Sequence, residues 1–86
     1  MQGDSLILYK TIGKLIKKVK KEKGIKYTEL CYENDISTST YDNIVSAKKQ
    51  SNFYNIAKVV KALGLNFETF GKLLDDELPK NFLDGQ

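Results

Sequence analysis

Apolar residues recur along this chain at intervals of three and four, the period of helices packed on one side. Ile12, Leu15, Ile16 and Val19 stand at i, i+3, i+4 and i+7, with Lys14, Lys17, Lys18 and Lys21 between them. This pattern predicts an amphipathic helix over 10–23, stopped by Gly24. Leu6 to Tyr9 either extend that helix or form a separate arm; the pattern leaves both open. A short helix over Tyr27–Asn34 follows, with Leu30 and Cys31 inward. Asn34-Asp35 is a turn signal, because both residue types tolerate the left-handed conformation. Ile36 then reads as a buried plug.

Ser37 is placed to cap a third helix, Thr38–Ala47, by accepting from the free amide of Thr40. Tyr41, Ile44 and Val45 mark its inner face. Lys48 to Asn52 read as a polar loop in which Asn52 caps the next helix. Phe53, Ile56, Ala57, Val60 and Leu63 give a fourth stripe, closed by Gly64. Asn66 caps a fifth helix carrying Phe67, Phe70, Leu73 and Leu74. Pro79 and Gly85 mark a loose tail. No stretch alternates like a strand and none repeats. The expected fold is therefore all-α, a compact bundle of five short helices. Its expected organisation is an arm or helix extension at 1–9, a helical domain at 10–75 and a tail at 76–86.

Composition narrows the function. The 86 residues suit one domain. With no histidine, a histidine-based metal site or catalytic triad has no ligand or base. The single cysteine, Cys31, cannot form an internal disulfide and fits a reducing cytoplasm. Its inward position makes it a small core residue. No apolar run reaches the ~20 residues of a membrane span, and the first ten residues lack the basic start and long apolar core of a signal peptide. No cluster offers a nucleophile beside a base or a phosphate-cradling glycine loop, so neither an enzyme nor a cofactor is expected. No small-molecule substrate is expected either.

The net charge of +3 conceals a gradient. Residues 10–26 hold eight lysines against Glu22, and residues 66–86 hold two lysines against five acids. A basic front and an acidic end suit a domain that meets a polyanion on one side. Charge alone reads equally as a solvated lysine-rich helix face. All fourteen basic residues are lysine, so the arginine contacts common in base recognition are absent.

The segment Leu30 to Ile44 combines a short helix, a tight turn, a buried aliphatic plug and a Ser-capped helix that opens with small polar residues. That is the physical recipe of a helix-turn-helix, whose second helix projects its N-terminal end toward base edges. Together with Ile12-Gly13 and Ile16, Gly24-Ile25, Leu30-Cys31, Ile36-Ser37 and Ala62-Leu63-Gly64-Leu65, it resembles the Cro and lambda-repressor-like domain, the XRE family of transcriptional regulators. The resemblance covers Ile12 to Leu74.

It implies a lambda-repressor-like DNA-binding fold and a sequence-specific regulator, repressor-like and of phage or mobile-element type. Such a protein binds a short operator in double-stranded DNA as a homodimer, with its third helix in the major groove. Carried over by position, Thr38, Ser39 and Asn43 face bases, while Tyr27, Thr28, Lys48, Lys49, Ser51 and Asn52 meet phosphates. The chain departs from the family pattern at Tyr27, where glutamine is usual. It departs again at Val45-Ser46-Ala47, where Glu-x-Gly is usual, and at Lys20, the place of the arginine that would pair with that glutamate. The proline usual near Ser51 is also absent. Asp42 would place a negative charge near DNA. A second class therefore stays open: a protein-interaction module on the same fold, such as an antirepressor or accessory component.

Overall fold

The computed structural model describes residues 3–83, and among them the chain forms five α-helices and no strand. These are α1 (Asp4–Glu22), α2 (Tyr27–Glu33), α3 (Thr38–Ser46), α4 (Phe53–Ala62) and α5 (Phe67–Glu77). Three of the five start on a side-chain cap. Ser37, Asn52 and Asn66 take extended backbone, and their side-chain oxygens accept from the amides of Thr40, Asn55 and Thr69. Those three contacts satisfy amides that have no partner inside their own helices.

Three connections share one closing geometry. Ile25 donates to the Lys20 carbonyl, Ile36 to that of Cys31 and Leu65 to that of Val60, at 3.0–3.2 Å. In each, the residue before the donor is left-handed: Gly24 at φ 67°, Asp35 at 54° and Gly64 at 80°. Glycine takes this conformation freely, and aspartate is among the few other residues that tolerate it. The Asn34 side chain also donates to the Leu30 carbonyl at 2.9 Å, which helps close α2.

Buried residues from all five helices and the α2–α3 turn form one apolar core, with no buried polar or charged side chain among the described residues. Ile16, Val59 and Val60 are fully buried, and Leu30, Cys31 and Leu63 nearly so. Each large aliphatic contributes about 1.5–3 kcal/mol by leaving water. Lysines tie the connections to this core from outside. Lys23 Nζ donates to the Leu63 carbonyl at the end of α4 (2.8 Å), and Lys58 Nζ to the Asp35 carbonyl in the α2–α3 turn (2.7 Å).

Several elements differ from their expected form. Of the two forms left open for Leu6 to Tyr9, the structure has the helix extension, since they belong to α1, which starts at Asp4. Ala47 is not the last residue of α3 but its cap, left-handed at φ 54°, and its amide donates to the Asn43 carbonyl. Phe53 and Phe67 are not core residues; they are 65% and 47% exposed. Val59, absent from the expected stripe of α4, is fully buried. At roughly 100° per residue, the true inner arc of α4 is rotated by about 50° away from Phe53 and Ala57 toward Val59. Phe53 and Phe67 instead meet each other edge to face, ring centres 6.0 Å apart. They flank an apolar groove of about 360 Å³ that also takes in Leu8, Tyr9 and Gly71. Residues Lys80 to Leu83 form a turn, in which the Phe82 amide donates to the Pro79 carbonyl; Gly85 lies outside the described residues.

Gly13 sits where α1 crosses the end of α3. A Cβ there would lie 2.7 Å from the Val45 carbonyl oxygen and 2.8 Å from that of Ile44. Both obstacles are backbone, so neither can swing aside. Gly13→Ala is expected to lower stability by about 1–3 kcal/mol, although alanine favours a helix by ~1 kcal/mol. Gly71 is the matching control, because a Cβ there meets nothing within 4 Å. Gly71→Ala is expected to raise stability by about 0.5–1 kcal/mol. Thermal and urea unfolding of the two variants measure both.

Candidate nucleic-acid interface

The exposed side of α3 and the segments at its two ends form the site. Seen down the helix axis at roughly 100° per residue, Tyr41 and Ile44 point inward, and Thr38, Asp42, Ser46 and Ser39 follow one another across the outer arc. All four outer residues are exposed. Asn43 lies beside Ser39 on the flank of that arc and is half-buried. Ser37 holds the N-terminal end in place. Its Oγ accepts from the Thr40 amide at 3.1 Å, donates to Thr40 Oγ1 at 2.7 Å, and lies 3.4 Å from Ser39 Oγ.

On one side of this arc stands the start of α2. The Tyr27 ring packs edge-on against buried Tyr41, centroids 5.2 Å apart, and its phenol lies beside the Thr38 hydroxyl. Partial burial raises the Tyr27 phenol above its ordinary value of 10.0; the Thr38 hydroxyl opposes that rise and the Asp42 charge adds to it. Tyr41 is raised as well, by burial first, then by Cys31 and Asp42. Burial likewise pushes the Cys31 thiol up, with Asp42 again contributing. A raised thiol is a poor nucleophile, consistent with a packing role for Cys31.

On the other side of the arc, α3 and the start of α4 enclose a polar cleft of about 160 Å³. Asn43, Lys49, Ser51 and Asn52 line it with Thr40, Gln50 and Asn55. Four of the nine residues expected at the site thus share one cleft, and Tyr27 and Thr38 meet at the opposite end. Ser39 lies exposed between the two groups. Thr28 and Lys48 are exposed but belong to neither group. Val45, expected on the inner face, is half-buried and packs against the core from its edge.

Gln50, Asn55 and Lys58 were not singled out by the sequence reading. A signal existed for Asn55, which follows the Asn52 cap by three residues and so returns to the same end of α4. Lys58 gave none, since its bond to the Asp35 carbonyl depends on how α4 crosses the turn.

No family model, curated protein or solved structure matches this chain.

The tyrosines give a direct electrostatic check. Folded Tyr41 keeps its proton to higher pH than the unfolded chain does, so the folded state binds more protons above about pH 10. Stability is therefore fully present below pH 10 and falls as pH rises through the folded value. Alkaline titration by tyrosinate absorbance should show Tyr27 and Tyr41 ionising later than an ordinary tyrosine. Asp42→Asn should move both downward without restoring 10.0, because burial remains. Unshifted curves in that variant would remove Asp42 from the neighbourhood of both rings.

Proposed function

We propose that this chain is a sequence-specific DNA-binding regulator of the repressor type, built on a lambda-repressor-like helix-turn-helix. The observation that carries this reading is the polar cleft shared by Asn43, Lys49, Ser51 and Asn52 beside the exposed arc of α3. It joins a side chain able to pair with a base to side chains suited to phosphates. α3 enters the major groove of a short operator with Thr38, Ser39 and Asn43 toward the bases. The Asn43 amide reads adenine, and the two hydroxyls accept or donate to several bases. Lys49, Ser51 and Asn52, with Lys48 nearby, grip the backbone at one end. Tyr27 and Thr28 grip it at the other, so phosphate contacts on both sides fix the register of the reading helix. The protein acts as a homodimer on two half-sites.

Asp42 works against affinity, since it occupies the middle of the outer arc between Thr38 and Ser39. A carboxylate there repels phosphates and favours only a base edge that donates, such as the cytosine amino group. It sharpens selectivity at the expense of general attraction.

A second reading, a protein-interaction module on the same fold, is favoured by the apolar groove flanked by Phe53 and Phe67. Aromatic side chains so exposed beside an apolar depression are the type enriched at protein interfaces.

Selection from random DNA followed by competition titration separates the two readings. Asn43→Ala should relax preference at one position per half-site by ~1–3 kcal/mol while leaving binding to scrambled DNA nearly intact. Asp42→Asn should tighten binding to any duplex. Replacing Lys48 and Lys49 with alanine should weaken all duplexes alike and flatten the salt dependence by about two units of slope per subunit. If selection enriches no sequence and these variants match the parent, the interaction module takes the regulator's place.

A further inference from the structure

The lysines of α1 form a surface separate from the helix-turn-helix reading. At roughly 100° per residue, Lys17, Lys10, Lys21, Lys14 and Lys18 fall in that order within one arc about 100° wide. The buried residues Ile12, Leu15, Ile16 and Val19 centre on the opposite side of the same helix. All five lysines are exposed. Lys18 pairs with Glu77 at 3.3 Å, a solvated contact, whereas Lys10, Lys14, Lys17 and Lys21 form no ion pair among the described residues. None of the five lines the polar cleft beside α3.

We infer that this face of α1 is a second, sequence-indifferent seat for the backbone of a nucleic-acid duplex. Charge complementarity names the occupant. From Lys10 to Lys21 the helix rises about 16 Å. A duplex presents roughly ten phosphates over that length, one per ~1.7 Å of axis. A row of ammonium groups on a rigid helix follows such a line of charge without needing to read a base. Firm seating of a helix in an anionic bilayer draws on large apolar side chains inserted beside the lysines as well as on charge. The apolar side of α1 is committed to the core, and the one large apolar residue exposed along this helix is Ile7 at 37%. The inference does not rest on operator recognition by α3.

The test uses the full chain with Lys10, Lys14, Lys17 and Lys21 all replaced by glutamine, which has nearly the helix propensity of lysine. Parent and variant are titrated with a random-sequence duplex over a series of salt concentrations, and with vesicles of phosphatidylserine and phosphatidylcholine. The expected result is an unchanged melting temperature, at least tenfold weaker duplex binding at low salt, and a salt slope flatter by three to four units, about 0.9 per lost contact. Arginine at the same four positions should restore the parent slope, whether or not the glutamine variant folds fully. An unchanged slope in a folded glutamine variant overturns the proposal, as does failure of the arginine variant to bind. Parent protein that binds vesicles and not duplex also overturns it and assigns the face to a membrane surface. Failure to select an operator, with the slope still flattened, would count against the reading of α3 alone.

Discussion

The close crossing of α1 over the end of α3 is the constraint on which the candidate site depends. At Gly13 the two backbones approach until a single methyl group would collide with the carbonyls of Ile44 and Val45. That approach seats the inner side of α3 against α1, where Tyr41 and Ile44 join Ile12 and Ile16 in the core. With the inner side committed, the outer arc of Thr38, Asp42, Ser46 and Ser39 has one direction left to face. The caps work to the same end. Ser37 fixes where α3 starts and left-handed Ala47 where it stops, so the cleft with the α4 entry forms at a set distance along the helix. Because the core holds no buried polar group among the described residues, these backbone constraints carry the positional specificity.

Much of the fold was legible because its signals are local. Ser37, Asn52 and Asn66 cap helices in their own turns, and Gly24, Asp35 and Gly64 supply backbone geometry that few residues can. Tyr41 was placed inside by phase alone, and it is 4% exposed. Phe53 shows where phase stops informing. It shares a direction with Val60 to within roughly 20°, yet it lies about two turns nearer the helix start, where the edge-on Phe67 ring leaves most of it exposed. Periodicity gives the direction of a side chain and not the reach of the element packed against it. Val59 was missed for the same reason, since its burial follows from what lies beside α4.

The site divides in the same way. That Thr38 and Ser39 open α3 is a sequence fact, and so is the polar loop after Ala47. That Asn43 meets Lys49, Ser51 and Asn52 in one cleft depends on the left-handed turn at Ala47, a residue that seldom takes that conformation and gives no sequence signal for it. The charge layout adds a further division. Lysines gather on α1 and in the loop before α4, while Asp42 sits alone in the outer arc of α3. On the proposed reading, general attraction and base reading fall to different elements, with the long-range pull from lysine and the selectivity from one amide, two hydroxyls and one carboxylate.

Amide chemical-shift mapping, with a selected duplex titrated into the labelled protein at moderate salt, reads out which surface meets DNA. If α3 reads the duplex as proposed, amides of Tyr27 and Thr28, of Thr38 to Asn43 and of Lys48 to Asn52 move first and most. Those around the Phe53–Phe67 groove should stay still, and the lysine face of α1 should respond only after the first equivalent of duplex. Shifts confined to the groove, or none on α3, would contradict that reading.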